Sequence, residues 1–257
     1  MHIDLSMGLD GNGSSIWLPG DISGLVVELY SEFVIKDGGN LVSQWTDQSG
    51  QGNHVTQSVD ADKFTWIADE LNGYPSLVGD GLSDYLQLTS GSLLTLVNGN
   101  DTPFTAWGVL RFTTAPTVQR NIWAWTKTDA GLPIVEMQGD NGGASKINVG
   151  RRGDDNSYVY DRSVSTDANW FYYVFNFHGT TYSLKVNGVT VANNVGLNSD
   201  AITSALPNIF TIGVRAYNST LTNFGNIRMV AQGFYNTDIS DPNVLLLENF
   251  LATKYGL

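Results

Sequence analysis

Val42-Ser-Gln-Trp-Thr-Asp-Gln-Ser-Gly-Gln-Gly-Asn-His-Val-Thr-Gln57 is the stretch whose reading decides the rest of the chain. Its first half runs into Trp45 as a half-buried strand would. Asp47, Ser49, Gly50, Gly52 and Asn53 then supply side chains that bond their own backbone, or backbones that tolerate positive φ, before an alternating run resumes at His54. The block predicts a strand, a tight connection and a second strand. Leu71-Asn-Gly-Tyr-Pro-Ser-Leu-Val-Gly-Asp-Gly-Leu-Ser-Asp-Tyr-Leu86 follows in the same manner.

The composition extends that reading to the whole chain. Twenty-eight Gly, 23 Asn and 20 Asp against 5 Glu favour turns, since Glu is the better helix former and the others supply turn geometry. A chain of 257 residues is long enough for one large β domain. A net charge of −12 with only 13 Lys and Arg opposes nucleic-acid binding, which needs clustered cations. The one adjacent basic pair is Arg151-Arg152. No apolar run approaches the length of a membrane span, and no charged start with an apolar stretch behind it opens the chain. The expectation is a protein made without a signal peptide. With zero Cys, disulfides, zinc-thiolate sites and thiol nucleophiles are all excluded.

Outward from the opening block, residues 1–20 read as a flexible or partner-bound arm and residues 21–257 as one domain. Leu25-Val-Val-Glu-Leu-Tyr30 is the first strong strand. Phe104 to Phe112 alternates, and Asn121 to Thr126 sets Trp123 and Trp125 on one side. Short strands are predicted over Leu132 to Gln138, Ser145 to Gly150 and Ser157 to Arg162. Trp170 to His178 is aromatic on both faces, as a strand covered on each side would be. Thr181 to Val191 reads as a hairpin turning at Asn187-Gly188, the pair suited to a type I′ turn. Ile209 to Gly213 and Phe224 to Tyr235 supply the last two strands. The tail then changes period: Pro242 suits a first helical turn, Val244, Leu247, Leu251 and Tyr255 recur at helical spacing, and Gly256 sits where a helix stops. The fold class is therefore all-β, a two-sheet antiparallel jelly-roll sandwich with a short C-terminal helix.

The Trp45 to Asn53 block, the later Gly79-Asp-Gly-Leu-Ser-Asp-Tyr85 and the Asn187-Gly188 hairpin together resemble the concanavalin A-like lectin and glucanase jelly rolls, which include laminin-G domains. The closing strand and helix, ending Leu-Ala-Thr-Lys-Tyr-Gly256, are similar to sandwich modules of phage and bacterial surface proteins. That likeness implies an opening strand beside the closing one. It also implies a non-catalytic virion or cell-surface module, such as a capsid decoration, head-fibre or tail-associated protein that binds glycans. The alternatives are a stand-alone lectin-like module, or a polysaccharide-degrading glycosidase or lyase. Partners would be other virion or surface proteins through the arm, polysaccharide, or further copies of the chain.

Catalytic motifs are sparse. Glucanases of the resembled family carry a Glu-x-Asp-x-Glu strand; here only Glu28 and Glu32 are close, four residues apart on one face. There is no Gly-x-Ser-x-Gly, and a Ser-His-Asp arrangement would have to draw its base from His2, His54 or His178. His178, Arg151, Gln138 and Tyr160 are the residue types of a lyase set. No catalytic residue is assigned from these. Glycan binding needs an aromatic platform and planar polar groups, and Trp123, Trp125, Arg151, Tyr158 and Tyr160 are its candidates. Asp80 and Asp84 are the candidate ligands of a structural Ca²⁺, with Asp154-Asp155 and Asp10-x-Asn12-x-Ser14 behind them. No other cofactor is implied.

Overall fold

Alternation along the opening segment makes β1 (Leu25–Lys36), and the signature block makes β2 (Val42–Asp47) and β3 (Val55–Thr56). A computed structural model describes residues 17–97, 101–114, 116–127, 133–140, 146–152, 158–165, 169–197, 207–217 and 220–257; the side chains of residues 133, 140, 158–165 and 217 lie outside that description. The next strands are β4 (Thr65–Leu71), β5 (Tyr74–Val78), β6 (Leu86–Leu88), β7 (Phe104–Phe112), β8 (Arg120–Thr126) and β9 (Pro133–Asp140). Then come β10 (Lys146–Arg152), β11 (Tyr158–Ser165), β12 (Phe171–Phe177), β13 (Thr181–Val186) and β14 (Val189–Gly196). β15 (Ile209–Ile212), β16 (Arg215–Tyr217), β17 (Thr220–Thr222) and β18 (Ile227–Tyr235) lead to the helix α1 (Asp241–Tyr255).

Hydrogen bonds join the strands in the order β11-β10-β9-β8-β15-β6-β3-β2-β1-β18-β7-β12-β13-β14. The β4–β5 hairpin attaches through β5 to β18. Every pairing among the described residues is antiparallel, and β1 lies beside β18, as the resemblance implied. The ribbon doubles over near β1 and β2, where the register slips between Leu29 and Val34. Stacking of the two layers brings Trp123 and Trp125 of β8 onto Phe104 of β7, Phe175 of β12 and Phe234 of β18, with centroids 5.1 to 6.4 Å apart. This is the main core.

Two local predictions are met in detail. Asn187 and Gly188 take φ of 48° and 76°, the double positive φ of a type I′ turn. Gly256 closes α1 in the left-handed region at φ 67°, its N–H bonded to Ala252 O at 2.8 Å. Some strands were not read from the sequence: β4 is one, and β16 and β17 form a separate ribbon that packs on β8 and β9 and places Arg215 3.6 Å from Glu136.

The helix supplies a third layer. Val244, Leu247, Leu251 and Tyr255 are buried against Tyr30, Trp107, Val109, Tyr172, Val174 and Tyr235, on the face of the β1-β18-β7-β12 layer that points away from the core. Burial of such side chains stabilises by about 2 kcal/mol apiece. It also explains why all seven residues of β12 are buried. Odd-numbered members face the sandwich core, while Tyr172 and Val174 face the helix. At Gly233 a Cβ would collide with the Trp107 indole, so only glycine lets that ring lie flat beneath α1.

Candidate functional site

The signature block turns out to be a structural latch. Asp47 Oδ1 accepts from the Glu28 and Ser49 N–H groups at 2.9 Å, and Oδ2 accepts from Ser49 Oγ at 2.8 Å and Asn53 N–H at 2.9 Å. Asn53, fully buried, donates to Val26 O and Ser92 Oγ and accepts from Leu93 N–H. His54 Nδ1 accepts from the Asp47 N–H at 3.0 Å. Buried polar groups that satisfy one another this fully fix a loop and leave nothing for a ligand.

The expected glycan platform is not on the surface. Trp123 and Trp125 are both at 0% exposure, and their indole N–H groups donate to Tyr173 Oη and Leu93 O. An indole without an exposed face cannot stack a sugar, so these two are core residues. Arg151 is equally buried and ion-paired with Asp101. Tyr158 and Tyr160 lie on β11, and their side chains fall outside the described residues. Gln138 is buried on β9, whereas His178 follows β12 in the other layer, so the lyase-like set is dispersed.

Asp80 and Asp84 turn their carboxylates into their own loop. Asp80 Oδ1 accepts from the N–H groups of Leu82, Ser83 and Asp84, and Asp84 Oδ2 from that of Asp80. Burial opposes the charge on Asp80, yet the backbone donors together hold its pKa below the usual value. Burial, with the Asp80 charge beside it, pushes Asp84 up to about 6. Donors aimed at both carboxylates do not suit Ca²⁺, and the described residues contain no group of three metal-ligating side chains. Asp10, Asn12, Ser14, Asp154 and Asp155 lie outside the described residues.

A better site lies at the C-terminal end of α1. Glu28, Tyr30 and Glu32 alternate along β1 and point toward the helix, because Val27 and Leu29 face the core. Tyr74 opens β5, Phe250 and Lys254 come from adjacent turns of α1, and Leu18, Gly20 and Asp21 close the rim. All of these but Glu32 line a cavity of about 460 Å³. Lys254 Nζ lies 3.8 Å from the Tyr30 ring centre and 3.5 Å from Glu32 Oε1. Tyr30 Oη donates to Glu28 Oε1 at 2.6 Å.

Exclusion of water marks these groups. Burial raises the Glu28 pKa against the opposing Tyr30 hydrogen bond and Lys254 charge. Burial likewise lowers Lys254, with Glu32 resisting, and raises Tyr30 well above its ordinary value. Perturbed groups gathered in one cleft are a recognised mark of a functional site. Sequence reading paired Glu28 with Glu32 and missed Tyr74, Phe250 and Lys254, whose only signal was the i, i+4 spacing of the last two. The two glutamates are engaged separately, Glu28 by the Tyr30 hydroxyl and Glu32 by Lys254, and only Glu28 lines the cavity.

The layered architecture has relatives among solved structures. The fold resembles that of botulinum neurotoxin binding domains. A binding domain of neurotoxin DC in complex with SialylT superposes with TM-score 0.60 at 11% identity over 89% of this chain. A structure of type C neurotoxin, whose cell entry depends on interaction with two ganglioside molecules, gives TM-score 0.62 at 12% identity over 90% of this chain. A neurotoxin DC binding domain in complex with rat synaptotagmin II gives 0.61 at 12% identity over 90%. This chain spans about half of each, 52% in all three cases. At these identities the likeness shows the β-sandwich fold alone. No protein-family profile matches the sequence, and no curated protein matches it.

Proposed function

We propose that this protein is a surface-displayed recognition module that binds glycan in the cavity between β1, β5 and α1. The observation that carries the reading is the pairing of half-exposed aromatic faces on Tyr74 and Phe250 with Asp21, Glu28 and Lys254 in one 460 Å³ cavity. Sugar rings present C–H faces to aromatics and hydroxyls to charged and planar polar groups, and this cavity offers both. Neurotoxin binding domains that take SialylT or depend on gangliosides share the fold, which adds support without assigning a ligand.

The sequence likeness to phage and bacterial sandwich modules supports display on a virion or cell surface. The segment after the arm supports a tethering role: Trp17 packs edge-on against Phe250 at 6.0 Å, and Tyr235 Oη donates to Pro19 O at 2.9 Å. A partner that pulls on residues 1–16 would thus act at the rim of the same cavity.

The test is a glycan array on the full chain followed by calorimetric titration of the best binders. Tyr74→Ala and Phe250→Ala are each expected to weaken binding at least 10-fold while the fold persists. Absence of any array signal, or affinity unchanged in both variants, overturns the assignment. Co-purification with particles, lost when residues 1–16 are removed, is the corresponding check of display.

A further inference from the structure

The opposite end of α1 holds a different arrangement. β12 ends at Phe177, and Gly179 and Thr180 turn the chain into β13, with His178 N–H bonded to Thr181 O at 2.9 Å. Asn176 and Ser183 are register partners, so His178 and Ser183 both project from the outer face of the layer. Asp238, sixty residues on from His178, arrives in the connection from β18 to α1. His178 Nε2 lies 3.1 Å from Ser183 Oγ and Nδ1 2.6 Å from Asp238 Oδ2. A carboxylate only accepts, so Nδ1 carries the imidazole proton toward Asp238 and Nε2 is left to accept from the serine hydroxyl. Hydroxyl, imidazole and carboxylate therefore stand in the order and at the distances of an activated serine.

Accessibility separates this chain of hydrogen bonds from a structural one such as the Asp47 latch. The His178 and Asp238 side chains keep 23% and 35% of their exposure. Ser183 is half-buried and lines a cavity of about 430 Å³ with Asn176, Lys185, Thr190, Asn193 and Asp241. Val174, Ala192 and Val244 give it an apolar floor. The Asn194 N–H donates to Ser183 Oγ at 3.1 Å and Asn176 Nδ2 donates to Ile239 O at 3.1 Å, while the exposed Asn193 amide lines the same space. The Asn193 amide is the side-chain donor that this space offers a developing oxyanion.

We propose that Ser183, His178 and Asp238 form an acyl-transfer site that hydrolyses short acyl esters of polyhydroxylated alcohols. Ser183 Oγ attacks the ester carbonyl carbon and its proton passes to His178 Nε2. The bond from carbonyl carbon to ester oxygen breaks, and the departing alcohol takes that proton from His178. Water then gives a proton to His178 and its oxygen to the acyl carbon. The acid leaves, and the proton returns to Ser183 Oγ. Asp238 touches no reacting atom; it is a positioning residue that holds the imidazole in the required tautomer. The cavity's polar lining suits the hydroxyl-rich alcohol, and its apolar floor suits a short acyl group. The proposal does not rest on glycan binding at the other cavity.

The test uses the full chain with a fluorophosphonate probe and p-nitrophenyl acetate. Intact mass should rise by one probe adduct, mapped to Ser183, and hydrolysis should follow a pH profile with one ascending limb. Ser183→Ala should abolish both signals, and its unchanged thermal midpoint would show that the fold survives. Asp238→Asn should lower kcat on the order of 10³-fold or more with KM nearly unchanged, an effect a merely structural role would not produce. A chain that takes no label under conditions that label a known serine esterase overturns the proposal. So does label or turnover that persists in Ser183→Ala.

Discussion

The two ends of α1 rest on the same face of the same layer, yet they differ in chemistry. At the C-terminal end, Tyr30, Tyr74, Phe250 and Tyr255 surround Lys254, and burial displaces the pKa values of Glu28 and Lys254 toward their neutral forms. At the N-terminal end, the small polar side chains of β12 to β14 leave Ser183, His178 and Asp238 hydrogen-bonded and within reach of water. One helix therefore makes two cavities, and the strand residues beneath it decide their nature. Large aromatics desolvate and hold; small polar residues leave a nucleophile accessible.

The sharpest way to break this contrast is a crossed experiment. Ser183→Ala should remove esterase labelling entirely and leave glycan affinity intact, whereas Tyr74→Ala should do the reverse, with binding about 10-fold weaker from the lost stacking face. If either substitution affects both readouts, the two ends are one site.

Next in size is the helix itself. Leu251→Ala, at a fully buried position of the interface beneath α1, should cost about 3 kcal/mol in chemical denaturation. Glycan affinity should fall more than esterase rate, since Leu251 lies next to Phe250 and Lys254. Equal losses would mean that α1 undocks as a unit.

Smaller effects concern pH. Asp84 titrates near 6 in the folded chain, above its unfolded value near 4, so its contribution is intact below about pH 4 and lost as pH rises through 6. Asp84→Asn should flatten that slope and raise stability at pH 7.5 by about 1 to 2 kcal/mol, after discounting for partial screening. Neither cavity should respond. Glu28 has the same sign: its raised pKa favours the protonated fold, so Glu28→Gln should stabilise at neutral pH and have no effect below the unfolded value. A thermal melt series from pH 3.5 to 8 checks both, and a Glu28→Gln gain that grows toward low pH would contradict the burial argument.

Legibility differed from residue to residue. Asn187-Gly188 and Gly256 were readable because their backbone angles are local properties of residue type. The alternation of Glu28, Tyr30 and Glu32 was readable for the same reason, but not the arrival of Lys254 between them, which needs α1 folded back onto β1. Trp123 and Trp125 show the limit of periodicity: it puts them on one side of β8 without saying whether that side meets solvent or another sheet. Ser183, His178 and Asp238 carried no motif, because a turn and a distant loop bring them together.

Sequence alone determined most of the strands, though not β4, β16 or β17, and the hairpin turn, the helix and its stop, since side-chain period and turn chemistry act over a few residues. Only the tertiary structure decided which faces are covered. Whether a polar or aromatic side chain is core, latch or site depends on what packs over it, and here that was settled by a helix closing onto a sheet formed by strands far from it in the chain.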